Sequence, residues 1–263
     1  MHPPREWNAE TYHRVSNPQF EWGTVVLDRL RLRGDELVLD IGCGTGRLTE
    51  KLLQRLPHGR VIAIDLSSNM IQVARDYLQP TFASRAQLAI ADAAALPLSN
   101  SADAIFSTAT FHWVLDHPRL FRSLHRALKP GGQLVAQCGG GANLARIQER
   151  LDRLRQEPGF APHFTSWREP WEFADADTTA ARLAEAGFED VHTRVEWSPV
   201  VFAAAEDFSA FIANVICRPY LAYVNDASLR DRLITQVTRL ASRDSPPFEL
   251  DYWRLNIEAV KAR

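Results

Sequence analysis

The chain has 263 residues, with 30 Lys+Arg against 32 Asp+Glu and a formal net charge of −2 at pH 7. At 46% hydrophobic and 24% charged residues it falls among ordinary globular chains, which excludes disordered, collagenous and low-complexity classes. Near-neutrality removes a global electrostatic drive toward nucleic acid or an anionic membrane. The cysteines, Cys43, Cys138 and Cys217, show no CxxC spacing, which argues against a disulfide framework or a cysteine zinc site.

The first residues, Met1 to Trp7, carry no apolar export segment, and no apolar run reaches the roughly 18 residues of a membrane span. We therefore expect a cytoplasmic protein. Asn17-Pro18 reads as an N-cap followed by proline at the first helical position, opening a helix to about Leu32. From Leu37 onward short apolar runs alternate with helical patterns, the mark of βαβ units around a parallel sheet. Strands are expected at Leu37–Ile41, Val61–Asp65, Gln87–Ala91, Asp103–Ala109 and Gln133–Cys138. Helices are expected at Arg47–Leu56 and at Ser68–Leu78, the second capped by Ser67. In the next crossover Leu120, Phe121, Leu124, Ala127 and Leu128 recur at helical spacing, and Lys129-Pro130-Gly131-Gly132 stops the run.

Beyond Gly139-Gly140-Gly141 the pattern loosens into a charged helix, Leu144–Gln156, and a Pro- and Trp-rich loop through Trp171, read together as an insertion. A helix at Thr178–Ala186 closes on Gly187, an extended run covers Val191–Phe202, Glu206–Leu240 is mostly helical, and Tyr252–Val260 supplies a last strand. No repeat and no linker separates two independent domains. The expectation is one domain over 1–263, with a core at 35–140, 178–203 and 250–262 and a lid from 1–34, 140–175 and 205–245.

The chemistry concentrates at Asp40-Ile41-Gly42-Cys43-Gly44-Thr45-Gly46-Arg47, where the first strand meets the first crossover helix. Glycine admits φ > 0 in a tight turn and lets backbone N–H groups approach a ligand. The dinucleotide fingerprint GxGxxG would need glycine where Arg47 stands, so a nicotinamide- or flavin-binding oxidoreductase is the less favoured reading. Asp40 precedes the loop, where a carboxylate receives an ammonium group.

The run Val38-Leu39-Asp40-Ile41-Gly42-Cys43-Gly44-Thr45-Gly46 resembles the first motif of class I S-adenosylmethionine-dependent methyltransferases. Later motifs follow in that family's order: Asp65 after Val61-Ile62-Ala63-Ile64, Asp92 in Ala89-Ile90-Ala91-Asp92-Ala93, and Leu128-Lys129-Pro130-Gly131-Gly132-Gln133-Leu134. The resemblance covers roughly residues 35–140. It implies an α/β fold with a Rossmann-like, doubly wound, mostly parallel seven-stranded sheet and helical lid insertions, and S-adenosyl-L-methionine as cofactor. It further implies that Asp40, Gly42, Gly44 and Gly46 cradle the cofactor, and that Asp65, with Leu66, meets the ribose hydroxyls. Asp92, with Ala93, would meet the adenine amino group, and Thr108 would complete this cofactor set.

Ligands of open α/β sheets bind beyond the carboxyl ends of the strands, so Ser107 to Trp113 face the acceptor. Ala109-Thr110-Phe111-His112-Trp113-Val114, Trp7-Asn8-Ala9-Glu10-Thr11-Tyr12 and Cys217-Arg218-Pro219-Tyr220-Leu221 resemble the trans-aconitate methyltransferase subgroup. His-Trp at this place also appears in juvenile hormone acid methyltransferases, and both subgroups methylate carboxylates. The resemblance makes His112, Trp113, Gln19 and Tyr12 the candidates that hold the acceptor, with His112 the base if the acceptor is a phenol or enol. In the lid, Trp167, Arg168, Trp171, Arg218 and Tyr220 are candidates, Arg218 for a second carboxylate. Gln19-Phe20-Glu21-Trp22-Gly23 departs from the aconitate pattern and points toward a more hydrophobic acid. The competing functions are O-, C- or N-methylation of a secondary-metabolite scaffold and an inactive cofactor-binding protein. A small-molecule acceptor, no metal, no nucleic acid, no membrane and a monomer or weak homodimer complete the expectation.

Overall fold

The computed structural model describes Ala9 and residues 17–263. Two compact units are present, one built from Met1–Gly141, Trp171–Glu196 and Arg254–Arg263, the other from Ala142–Pro170 and Trp197–Trp253. No described helix is long and apolar enough to cross a membrane.

The first unit contains α1 (Asn17–Leu27), β1 (Leu37–Ile41), α2 (Arg47–Gln54), β2 (Arg60–Asp65), α3 (Ser68–Phe82), β3 (Ala86–Ile90), β4 (Ala102–Thr108), α4 (His117–Ala127), β5 (Leu128–Gly139), α5 (Ala176–Glu185), β6 (Phe188–Trp197) and β7 (Trp253–Lys261). Its sheet has seven strands in the order β3-β2-β1-β4-β5-β7-β6. The strands β1 to β5 pair in parallel and β7 runs antiparallel to β5. β1 lies between β2 and β4, and because helices cover both faces it is apolar on both sides apart from Asp40, with Val38, Leu39 and Ile41 buried. Leu39, Ile41, Ile105 and Leu134 pack on one face, and Val38, Val61, Phe106 and Val135 on the other.

Local chemistry sets most boundaries. Ser67 caps α3 by accepting the Met70 N–H at 3.3 Å, as its position before the helix implies. The helix runs past the expected Leu78 to Phe82, because buried Phe82 anchors a last turn that Pro80 weakens by removing a donor. α1 stops at Leu27, short of Leu32, because a long-range contact holds the next segment extended. The Gln133 side chain accepts from Arg31 N–H at 3.2 Å and donates to Arg31 C=O at 2.8 Å, bracketing that residue as a neighbouring strand would. β5 starts at Leu128, directly after α4, so Lys129-Pro130-Gly131-Gly132 lies inside the strand as an irregularity opposite Ala102 and Ala104. The extended run after Val191 breaks at Ser198-Pro199. Val200–Val201 pairs instead with Glu249–Leu250 in a separate ribbon.

The second unit has helices at Ala145–Leu154, Ala205–Phe211, Arg218–Leu221 and Ala227–Ala241, with a π-helical turn at Ile212–Ile216. Phe160, Phe164 and Tyr220 are buried in it, and Trp167 packs on Tyr220 with ring centroids 4.2 Å apart. Arg150 pairs with Asp244 at 2.5 Å.

Leu39, fully buried in the middle of the sheet, tests this architecture. Leu39→Ala should lower the unfolding free energy by about 2–5 kcal/mol, measured by urea denaturation; a loss under about 1 kcal/mol would mean that β1 does not occupy the sheet centre.

Candidate functional site

Because β1 to β4 run parallel, their carboxyl ends share one edge of the sheet, and the glycine loop, Asp65, Leu66, Asp92, Ala93 and Thr108 lie along it. At the end of β1 the N–H groups of Gly42 and Cys43 both donate to Ile64 C=O, at 2.7 and 3.0 Å, which binds the loop to β2 before it turns. Gly42 has φ +74°, and a Cβ there would stand 1.9 Å from Thr110 Oγ1, so no side chain fits. Gly44, at φ +53°, differs: a Cβ on it would meet no described atom within 4 Å. The loop therefore packs inward at Gly42 and faces outward at Gly44, and Gly46 delivers the chain into α2, whose amino end favours negative charge.

Asp65 closes this corner. Its Oδ2 accepts from Gly44 N–H at 3.0 Å and its Oδ1 from Ser67 N–H at 2.9 Å, so one carboxylate joins the glycine loop to the cap of α3. Leu66 follows it, 50% exposed, and Ile90, 57% exposed, stands opposite Asp65 in the β2–β3 ladder. Asp92 lies just past β3 with Oδ1 accepting the Ala94 N–H at 2.9 Å, capping the turn Ala93–Ala95. The edge thus presents apolar surface between two carboxylates. In the sequence Ile90 stands only as part of the run before Asp92 and carries no site role, because the period-2 pattern of so short a strand does not reveal which side chain ends up at the rim.

Asp40, in the same corner, is enclosed. It is 2% exposed and its Oδ2 accepts the Thr49 hydroxyl at 2.6 Å. Burial pushes its pKa up to about 7, against the lowering effect of the Thr49 hydrogen bond, and the nearby Asp65 charge adds to the rise. Burial, with Asp40 and Asp65 adding, likewise raises the Cys43 thiol well above its ordinary value, which leaves it a neutral packing group.

After β4 the chain makes a sharp turn. Ala109 takes φ +53° and donates its N–H to Gln137 C=O at 2.8 Å, while Thr110 Oγ1 donates to Thr108 C=O at 2.8 Å. The residues Phe111–Trp113 form a single 3-10 turn. Phe111 is buried beneath it, and His112 Nδ1 accepts the Gly139 N–H at 3.2 Å. That partner assigns the tautomer: a neutral His112 carries its proton on Nε2 and acts there as a donor. The rings of Trp113 and Phe173 lie 5.3 and 5.5 Å from the His112 ring, and Trp171 lies 5.8 Å from Trp113. The site is therefore lined by aromatic surface with a few polar atoms set in it.

Gln19, on α1, is buried and its Oε1 has no hydrogen-bond partner among the described residues. On the same helix Trp22 lies under the Arg254 guanidinium, 4.3 Å away, and Arg254 Nε donates to Gln137 Oε1 at 3.3 Å. Arg254 pairs opposite Gly139 in the β5–β7 ladder, which the sequence reading took only as strand. Tyr12 lies outside the described residues. Trp167, Arg168, Arg218 and Tyr220 belong to the second unit, whereas Trp171 belongs to the first.

A family profile described as a methyltransferase domain matches residues 38–132. The chain is 32% identical over 187 residues to the trans-aconitate 2-methyltransferase of Paracidovorax citrulli, a match covering 71% of this chain and 66% of that one. It is 27% identical over 271 residues to the trans-aconitate 2-methyltransferase of Rhodopseudomonas palustris, covering 97% and 99%. Phosphoethanolamine N-methyltransferase 2 of Haemonchus contortus, solved in complex with S-adenosyl-L-methionine, superimposes with a TM-score of 0.64 at 18% identity. That likeness covers 97% of this chain and 57% of the other, and it is a likeness of fold.

The pKa of Asp40 makes a test of the loop. The folded state holds this proton to about pH 7 and the unfolded state only to about 3.8, so stability falls as pH rises between those values. Asp40→Asn should flatten the change in urea midpoint between pH 5 and pH 8; a slope equal to that of the parent would place the titration on another group.

Proposed function

We propose that this chain, which belongs to the class I S-adenosylmethionine-dependent methyltransferases, transfers a methyl group to the carboxylate oxygen of a small organic or hydrophobic acid. The residues along the sheet edge fit the cofactor. Gly44 leaves the backbone open to close approach, and Asp65 brings acceptor oxygens to the position of the ribose. Leu66 and Ile90 offer apolar faces to a planar base, with Asp92 and Ala93 beside them. Thr108, at the end of β4, adjoins the turn that faces the acceptor. Asp40, buried and pushed up to about 7, gains from any ammonium group brought near it. When bound, S-adenosylmethionine supplies a methyl group activated on a sulfonium, and an ionised carboxylate needs no proton removed before it accepts that group.

The observation that carries the choice of acceptor is the His112 tautomer. With Nδ1 engaged by Gly139 N–H, the imidazole offers an N–H at Nε2 and not a lone pair. A donor suits an anionic oxygen that is already ionised at neutral pH, and it does not suit a phenol or enol that must lose a proton. The protein's task is then alignment and exclusion of water. His112 and the donor-only indole N–H of Trp113 orient the carboxylate, and Trp171 and Phe173 complete an apolar wall. The name shared by the two bacterial relatives, trans-aconitate 2-methyltransferase, supports an acid as acceptor. The aromatic lining supports one more hydrophobic than a small polyanion.

Calorimetric titration with S-adenosylhomocysteine should give micromolar binding and titration with NADH none, the reverse result overturning the cofactor assignment. Asp65→Ala should weaken S-adenosylhomocysteine binding by roughly 1–3 kcal/mol; unchanged affinity removes Asp65 from the site. In a methyl-transfer assay over a panel of carboxylic acids, Trp113→Phe should lower turnover more than cofactor affinity, and equal losses would make Trp113 a packing residue.

A further inference from the structure

We propose that Arg182 is a positioning residue for methyl transfer, holding the Phe111–Trp113 turn from behind through His117 and Glu172. Arg182 lies on α5, remote in sequence from every motif. Its guanidinium Nη1 donates to His117 Nδ1 at 3.1 Å and to Glu172 Oε1 at 2.9 Å. Each of these partners reaches the turn. His117, with Nδ1 taken as acceptor, carries its proton on Nε2 and donates it to Phe111 C=O at 3.1 Å. Glu172 donates its backbone N–H to His112 C=O at 2.9 Å. Two successive carbonyls of the turn are thus bound by two groups that one guanidinium joins. The same segment places Trp171 against Trp113 and Phe173 against His112, so displacement of Glu172 moves the aromatic wall as well.

The guanidinium suits this position because the two N–H bonds of its planar Nη1 point in fixed directions, one to each acceptor, where an ammonium would act as a point charge. His117 is buried, and burial pushes its pKa down; the Arg182 charge lowers it further, against the Phe111 C=O, Glu172 and Asp116, which raise it. Protonation of Nδ1 would set an imidazolium against the guanidinium and release the turn. The assembly therefore holds while His117 is neutral, and Arg182 helps to keep it so.

This inference rests on the reading of His112 and Trp113 as acceptor-facing, and its test separates the two. Arg182→Met should leave S-adenosylhomocysteine affinity within about twofold, because Arg182 touches neither the glycine loop nor Asp65. It should lower kcat/KM for the acid acceptor by roughly tenfold to a hundredfold, with Arg182→Lys recovering part of the loss through Glu172 alone. The acid limb of the pH–rate profile, which in the parent marks the loss of the Arg182–His117 contact when His117 is protonated, should flatten in Arg182→Met, where that contact is already gone. A uniform fall in cofactor affinity and turnover, or an unchanged acid limb, would overturn the proposal. Amide hydrogen exchange at residues 111–114 in the S-adenosylhomocysteine complex needs no acceptor: faster exchange in Arg182→Met supports the proposal, and unchanged exchange overturns it whatever the acceptor proves to be. Absence of transfer by the parent protein to every acid, with exchange still accelerated in the variant, would count against the acceptor assignment and leave the Arg182 coupling standing.

Discussion

The Asp65 carboxylate is the contact on which the site's architecture turns. One oxygen takes the Gly44 N–H and the other the Ser67 N–H, so a single side chain fixes the outward face of the glycine loop and the entry to α3 together. Hydrogen bonds to a charged acceptor are roughly twice as strong as neutral ones, and here they restrain backbone rather than side chains. The parallel sheet makes this geometry available: β1 and β2 run side by side, so residues at their carboxyl ends are neighbours although the chain between them passes through a whole helix. Ile90, directly across the ladder, then extends the same edge toward Asp92.

The two acids of this corner are kept in unlike environments. Asp65 is held by backbone N–H groups, whereas Asp40 is enclosed, bonded to Thr49 and pushed up to about 7. Burial favours the neutral form of Asp40, so the corner stores less unbalanced negative charge than two exposed carboxylates would, and a cation brought near Asp40 favours its ionisation. The turn Phe111–Trp113 is organised differently, by aromatic packing and by backbone contacts.

Much of this was legible in the sequence, for a physical reason. Strands buried on both faces are mostly apolar, so β1 and β2 stand at nearly the expected positions, and glycines forced to positive φ mark the loop. Ser67 announces its helix because a cap acts over three residues. What escaped detection depends on partners far apart in the chain. The early end of α1 follows from Gln133 gripping Arg31, and the last turn of α3 from the burial of Phe82. The His112 tautomer is set by a backbone N–H of Gly139, a group every residue but proline carries and no motif can flag. Arg182, His117 and Glu172 meet only because α4, α5 and the segment before α5 are packed together, and Arg254 reaches Trp22 only because β7 inserts beside β5.

The contact between Gly42 and Thr110 has a consequence for how two ligands share this protein. Thr110 occupies the volume that a side chain at position 42 would fill, so the glycine loop and the turn that carries His112 have one wall in common. A close-packed interior does not deform smoothly, and movement on one side of that wall is felt on the other. Linkage then makes the effect mutual: whatever factor a molecule in one half adds to the affinity of the other half is returned in equal measure. Gly42 is what lets the two halves meet at that wall, because a side chain there would take the volume Thr110 fills.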